Sequence, residues 1–152
     1  MPQHTKWPSH PSLPISLPGD VLFAPGSAKL SKAGEDVLAK VTKALLSDPA
    51  LVERYFQVVG HTDNQPLVRM AEEFKDNWGL SLMRAREVLL FVTRAEAGKG
   101  LDIKHWSAAG YADTDPLAPN TTPESRRKNR RVELVVQPAV EEMLDLKSLA
   151  AE

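Results

Sequence analysis

Asp63 and Arg84 are the residues whose types and places point most directly to recognition chemistry. Asp63 stands just past an apolar run, Tyr55-Phe56-Gln57-Val58-Val59, within the segment Gly60-His61-Thr62-Asp63-Asn64-Gln65-Pro66. Arg84 stands in the opening turns of a helical pattern, on the same line as Leu80 and Val88. An arginine on an apolar line snorkels, pairs with a carboxylate, or grips a ligand carboxylate with two nitrogens. If Asp63 faces the same gap, the pair offers opposite charges to a zwitterion such as an amino acid. The ammonium would sit on Asp63 and the carboxylate on Arg84. The alternative is that the two side chains pair with each other, and residue types and spacing leave both open.

Other chemistries find less support. His61 could ligate a metal, but a zinc site needs three or four converging ligands. The remaining histidines are His4, His10 and His105, no two histidines stand at i, i+4, and no H-E-x-x-H occurs. His61 is therefore expected to be a turn histidine bonded to backbone, with no metal site and no cofactor. Ser81 and Ser125 lie outside any G-x-S-x-G elbow, and the chain has no cysteine. A carboxylate pair for hydrolysis would join Asp63 to Asp76 or Asp113, and nothing in the spacing selects either. In Arg126-Arg127-Lys128-Asn129-Arg130-Arg131, five of six residues are basic. No aromatic residue interleaves with them, so a solvated loop end is expected rather than a nucleic-acid surface.

The whole chain is consistent with one soluble domain. Its 152 residues leave room for a real core, and 42% are hydrophobic and 26% charged. A net charge of −1 gives no bulk field toward nucleic acid or an anionic membrane. No apolar stretch is long enough to read as a membrane span, and the prolines at 2, 8, 11, 14 and 18 interrupt any signal-peptide core.

Several elements must position the charged pair. Residues 1–13 read as a flexible Pro-rich tail. Ile15 and Leu17 alternate with Ser16 in a short strand, and Pro18-Gly19-Asp20 makes a turn before Val21-Leu22-Phe23. Ser31 caps a helix whose face carries Val37, Leu38, Val41, Ala44 and Leu45, ending before Pro49. Tyr55 to Val59 is a strand. A polar loop from Asn64 to Asn77 follows, with a helical turn expected within Leu67 to Phe74. The second long helix runs from near Gly79 to Ala97, and Gly98 and Gly100 stop it. Ile103 to Ala109 reads as a strand, Ala112 to Asn129 as a loop without helical period, and Val132 to Val136 as the last strand. Residues 139–152 carry an amphipathic helix over Val140 to Ala150. The order β-α-β-α-β-β, closing on an adjacent strand pair, predicts an α+β domain over 14–138. It would have a mixed sheet with two helices packed on one face, plus a short C-terminal helix.

Taken in order, these motifs resemble the OmpA-like peptidoglycan-binding domains, above all their MotB-type branch. The resemblance rests on Gly60 to Pro66 and on Asn77-Trp78-Gly79-Leu80-Ser81-Leu82-Met83-Arg84-Ala85. It continues through Gly110-Tyr111, Pro116, Asn120, Thr122 and Asn129-Arg130-Arg131-Val132-Glu133, with Leu17 to Phe23 and Gly26-Ser27-Ala28 upstream. It covers Ser16 to Gln137, and the ordered set is far more specific than any single motif.

The resemblance implies a non-catalytic cell-wall anchor that binds the meso-diaminopimelate of the peptidoglycan stem peptide. Asp63 would hold the ammonium and Arg84 the carboxylate, Thr62 and Asn77 would supply hydrogen bonds, and Arg130, of the pair Arg130 and Arg131, would line the pocket. It also implies a periplasmic location, with attachment to the inner or outer membrane through a segment outside this chain. Dimers occur in similar domains, so a homodimer is compatible with it. Two other readings use the same residues: a wall hydrolase with Asp63 as acid or base, and a stator-type motor component anchored by this domain. Departures from the family pattern are Ala24 after Phe23, Ser125 before Arg126, and Ala112 after Gly110-Tyr111. The loop from Asn64 to Asn77 is longer than in the plain OmpA type, long enough to cover the pocket or meet a partner.

Overall fold

The computed structural model describes residues 14–94, 100–138 and 149–150. The expected tail lies outside these residues. So does the expected C-terminal helix, apart from Leu149 and Ala150, which are helical and exposed.

Strand β1, Ile15–Pro18, leads into α1, Gly19–Leu22, a single helical turn where the sequence predicts only a reverse turn. Helix α2, Lys32–Leu46, begins as expected at Ser31, whose Oγ accepts a hydrogen bond from Gly34 N at 2.9 Å. Strand β2, Phe56–His61, runs to the histidine itself. The expected turn in the following loop is α3, Ala71–Phe74. Helix α4, Asn77–Thr93, starts earlier than Gly79 because the Asp76 carboxylate caps it, accepting from Gly79 N at 3.0 Å. It ends at Thr93, earlier than the expected Ala97, because Arg94 is extended and serves as its C-cap; the expected stop at Gly98 lies outside the described residues.

Two expectations about the C-terminal half are corrected. Ile103–His105 is a 3-10 turn, so β3 is only Trp106–Gly110. The segment expected to be loop up to Asn129 contains α5, Pro123–Asn129, with Thr122 as cap and proline in its first turn. Those start signals are present in the sequence, but this short polar helix lacks the apolar stripe that periodicity detects. Strand β4, Arg131–Val136, follows at once.

The sheet order is β1-β4-β2-β3, with β2 and β3 parallel and both β4 pairings antiparallel. The adjacent pair expected of the last two strands is therefore not formed. Strand β4 inserts between β1 and β2, and β3 takes the outer place beside β2. Alternate apolar residues of β4 give it a packed face along its whole length, while β3 offers mainly alanine and serine.

One face of the sheet, carrying Leu17, Phe56, Val58, Val132, Leu134 and Trp106, packs with Leu38 and Leu45 of α2 and Ala85, Val88 and Val92 of α4. Each large side chain so buried contributes roughly 1.5–3 kcal/mol. This packing fixes how α4 lies across β2 and β3, and with it the place of Arg84. At the mouth, Leu67 and Phe74 of the polar loop close over Ala28 and Leu80 in a small separate cluster.

Candidate functional site

A pocket of about 260 Å³ opens at the C-terminal end of β2, against the first turns of α4. Thr62, Asp63, Asn77, Arg84 and Arg130 all line it, so the five residues singled out from the sequence share one cavity. The loop after Asp63 forms its wall through Gln65 to Arg69. Gly60 explains the close approach of strand and helix, since a Cβ there would overlap the Ser81 carbonyl oxygen of α4.

Each side chain is held differently. Asp63 is 8% exposed; its Oδ1 accepts from Gln65 N at 3.0 Å and its Oδ2 from Arg130 Nη1 at 2.7 Å. Thr62 donates its hydroxyl to the Asp63 carbonyl at 2.8 Å and its N–H to the Ala112 carbonyl at 2.8 Å, fixing the turn. Asn77 Nδ2 donates to the Gln65 carbonyl at 2.9 Å, tying the start of α4 to the wall.

Arg84 is 5% exposed, with Nε donating to Ser27 O at 2.8 Å, Nη2 to Ala24 O at 3.3 Å, and the guanidinium 4.8 Å from the Phe23 ring centre. Ala24, one of the departures from the family pattern, contributes its backbone carbonyl to Arg84. No carboxylate among the described residues lies within 4.0 Å of Arg84. Burial pulls its pKa down to about 10, opposed by Asp20 and Asp63 and assisted by Arg130. It remains charged at neutral pH. Of the two alternatives left by the sequence, direct pairing of Asp63 with Arg84 does not occur. Asp63 pairs with Arg130 instead.

Asp20 is the charged neighbour that sequence reasoning missed. It accepts from Arg130 Nε at 3.0 Å and Nη2 at 2.9 Å. Those Arg130 hydrogen bonds hold its carboxyl below the ordinary range, against some burial, and they raise Arg130 in turn. The one available signal was its place in the turn after the first strand.

The other candidates are committed elsewhere. His61 ends β2 rather than lying in the turn, it is 2% exposed, and neither ring nitrogen meets hydrogen-bond geometry, which corrects the expectation of a backbone-bonded turn histidine. Its Nε2 is 3.3 Å from Glu133 Oε1, and its ring stands edge-on to Tyr111. Asp76 is a helix cap, and the Ser81 hydroxyl donates to Trp78 O while accepting from Ala112 N. No group of three or more His, Cys, Asp or Glu among the described residues is placed to hold a metal ion. The basic run is divided. Arg126 reaches toward Asn120 O, Arg127 toward Asp20, Arg130 enters the pocket, and Arg131 is buried against Glu133.

A model of the OmpA family matches residues 22–130, most of the chain. The chain belongs to the OmpA family. This OmpA-family chain is 36% identical over 124 residues to Motility protein B of Bacillus subtilis, covering 82% of itself and 44% of that relative. It is 34% identical over 119 residues to the peptidoglycan-binding protein ArfA of Mycobacterium bovis, covering 78% of itself and 32% of that relative. It thus spans less than half the length of these curated relatives. Among solved structures it resembles the cell wall anchor of the T6SS from Pseudomonas aeruginosa, at 35% identity and a TM-score of 0.67, covering 82% of this chain and 80% of that one.

Proposed function

We propose that this OmpA-family domain is a non-catalytic anchor that binds peptidoglycan through the meso-diaminopimelate of the stem peptide. The observation that carries the reading is Arg84, a buried guanidinium with no carboxylate within ion-pair distance among the described residues, in one pocket with the Asp63 carboxylate. A zwitterionic end of diaminopimelate supplies the missing carboxylate to Arg84 and an ammonium to Asp63. The ammonium takes the place of Arg130 Nη1 on Asp63 Oδ2, and Thr62 and Asn77 keep the turn and the wall in position. The names of the similar proteins, a peptidoglycan-binding protein and a cell wall anchor, support the same ligand class.

Polar contacts exchanged for water contacts gain little net free energy, so a single stem peptide binds modestly. Repetition along the wall then makes attachment firm. The corresponding location is the periplasm, tethered to the inner or outer membrane by the parent protein. The similarity to Motility protein B makes a motor stator one setting for such an anchor.

Cosedimentation with purified sacculi tests the reading. The chain should pellet with diaminopimelate-type sacculi without releasing soluble muropeptides, and pellet poorly with lysine-type sacculi. Asp63→Ala and Arg84→Ala should each abolish pelleting while the circular dichroism spectrum is retained. Pelleting by both variants sinks the proposed site, and muropeptide release by the wild type sinks the non-catalytic reading.

A further inference from the structure

The guanidinium of Arg130 is shared unequally between two carboxylates. Asp20 takes two of its nitrogens in a fork, Nε at 3.0 Å and Nη2 at 2.9 Å, and Asp63 takes only Nη1, at 2.7 Å. The backbone enforces this arrangement independently of the side chains. Pro18 pairs with Arg131 in the β1–β4 ladder, so α1 leaves the sheet beside Arg130. Gly19 N donates to the Arg130 carbonyl at 2.8 Å, and a Cβ on Gly19 would lie 2.9 Å from that oxygen. A second cleft of about 380 Å³, bordered by Asp20, Phe23, Arg84 and Arg130, continues the pocket on this side. The family match begins at Leu22, so Asp20 lies outside the matched stretch.

We propose that Asp20 is a positioning residue of the pocket, which holds Arg130 so that a ligand ammonium can displace its single contact with Asp63 and Nη1 can turn to the ligand carboxylate. The proposal rests on the reading of Asp63 and Arg84 given above. With Asp20 in place, an arriving ammonium displaces one of the three Arg130 hydrogen bonds to carboxylates, and the guanidinium remains neutralised. Without it, Arg130 has only Asp63 as a carboxylate partner, so the pair that already occupies the ammonium site becomes harder to displace. The charges agree. Asp20 and Asp63 offset two of the three guanidiniums gathered there, Arg84, Arg127 and Arg130, and loss of Asp20 adds to the positive excess that opposes the ammonium.

Titration calorimetry with the 152-residue chain tests this, the probe being a soluble disaccharide peptide ending in meso-diaminopimelate. D20N should bind about fivefold more weakly, the effect of a half-exposed charge pair, and D20E should recover most of the loss. Adding D20N to R130Q should cause no further loss, because Asp20 acts through Arg130. Thermal unfolding verifies that each variant is folded. Wild-type affinity in D20N, or an equal loss in both backgrounds, overturns the proposal. D63A and R84A separate it from the reading beneath it. If both bind like the wild type, the pocket assignment itself falls. If both lose binding and D20N does not, only the role of Asp20 falls.

Discussion

Arg130 and Arg131 are neighbours in sequence and opposites in environment. Arg131 faces the side of the sheet away from the helices, its side chain 3% exposed. It donates to Glu133 Oε2 at 2.7 Å, Asn129 O at 3.3 Å and Asp115 O at 3.0 Å, a set that engages all three nitrogens inside the protein. Arg130, 28% exposed, bridges two carboxylates at the mouth of the pocket, where in the proposed function a ligand ammonium competes for one of them. The same side chain therefore braces the fold at one position and leaves exchangeable contacts at the next. What separates them is the completeness and burial of the partner set, since a buried charge is tolerable only when its partners are fixed.

Substituting the two arginines should break the comparison if it is wrong. Arg131→Ala leaves Glu133 without its guanidinium, so urea unfolding should show a loss of about 3–5 kcal/mol. A loss below about 1 kcal/mol would remove the bracing role, being the range of an exposed pair. Acid unfolding examines the same brace. His61 and Arg131 hold the Glu133 carboxyl down to about 2, from its usual 4.5. A depressed carboxyl contributes stability that is full above pH 4.5 and is lost as pH falls toward 2. Glu133→Gln should flatten that limb, by on the order of 2 kcal/mol, and an unchanged acid profile would contradict it.

Arg130→Ala should shift stability by less than about 1 kcal/mol and weaken muropeptide binding about tenfold. The reverse pattern, lost stability with intact binding, would exchange the two roles. Ala112, whose carbonyl accepts from Thr62 N, has φ at 54°, a left-handed backbone that disfavours a Cβ. Ala112→Gly should therefore raise the unfolding free energy by about 1 kcal/mol. At the small end, Arg127 stands 3.6 Å from Asp20 and is 60% exposed. Arg127→Ala should change stability by at most about 0.5 kcal/mol, which marks off Arg130 as the partner of Asp20 that matters.

Much of this was legible in the sequence because it depends on local pattern. The alternation in β1 and β4, the cap at Ser31 and the apolar lines of α2 and α4 each follow from neighbouring residues. The motif around Asp63 and the line through Arg84 likewise pointed to one gap, and both residues line the same pocket. The polar helix α5 escaped because a short surface helix buries no stripe, and the central place of β4 escaped because strand order is not a local property.

By itself, then, the sequence determined the fold class and the set of charges, since periodicity and residue type are written along the chain. Only the tertiary structure decided which charges meet. Asp63 lies nearer in sequence to Arg84 than to Arg130, yet it is Arg130 that reaches it, along with Asp20 from 110 residues away. Placing β4 between β1 and β2 brings the residue ahead of it beside both carboxylates. Side-chain pairing follows distance in space, which the packed sheet sets and the spacing of residues does not.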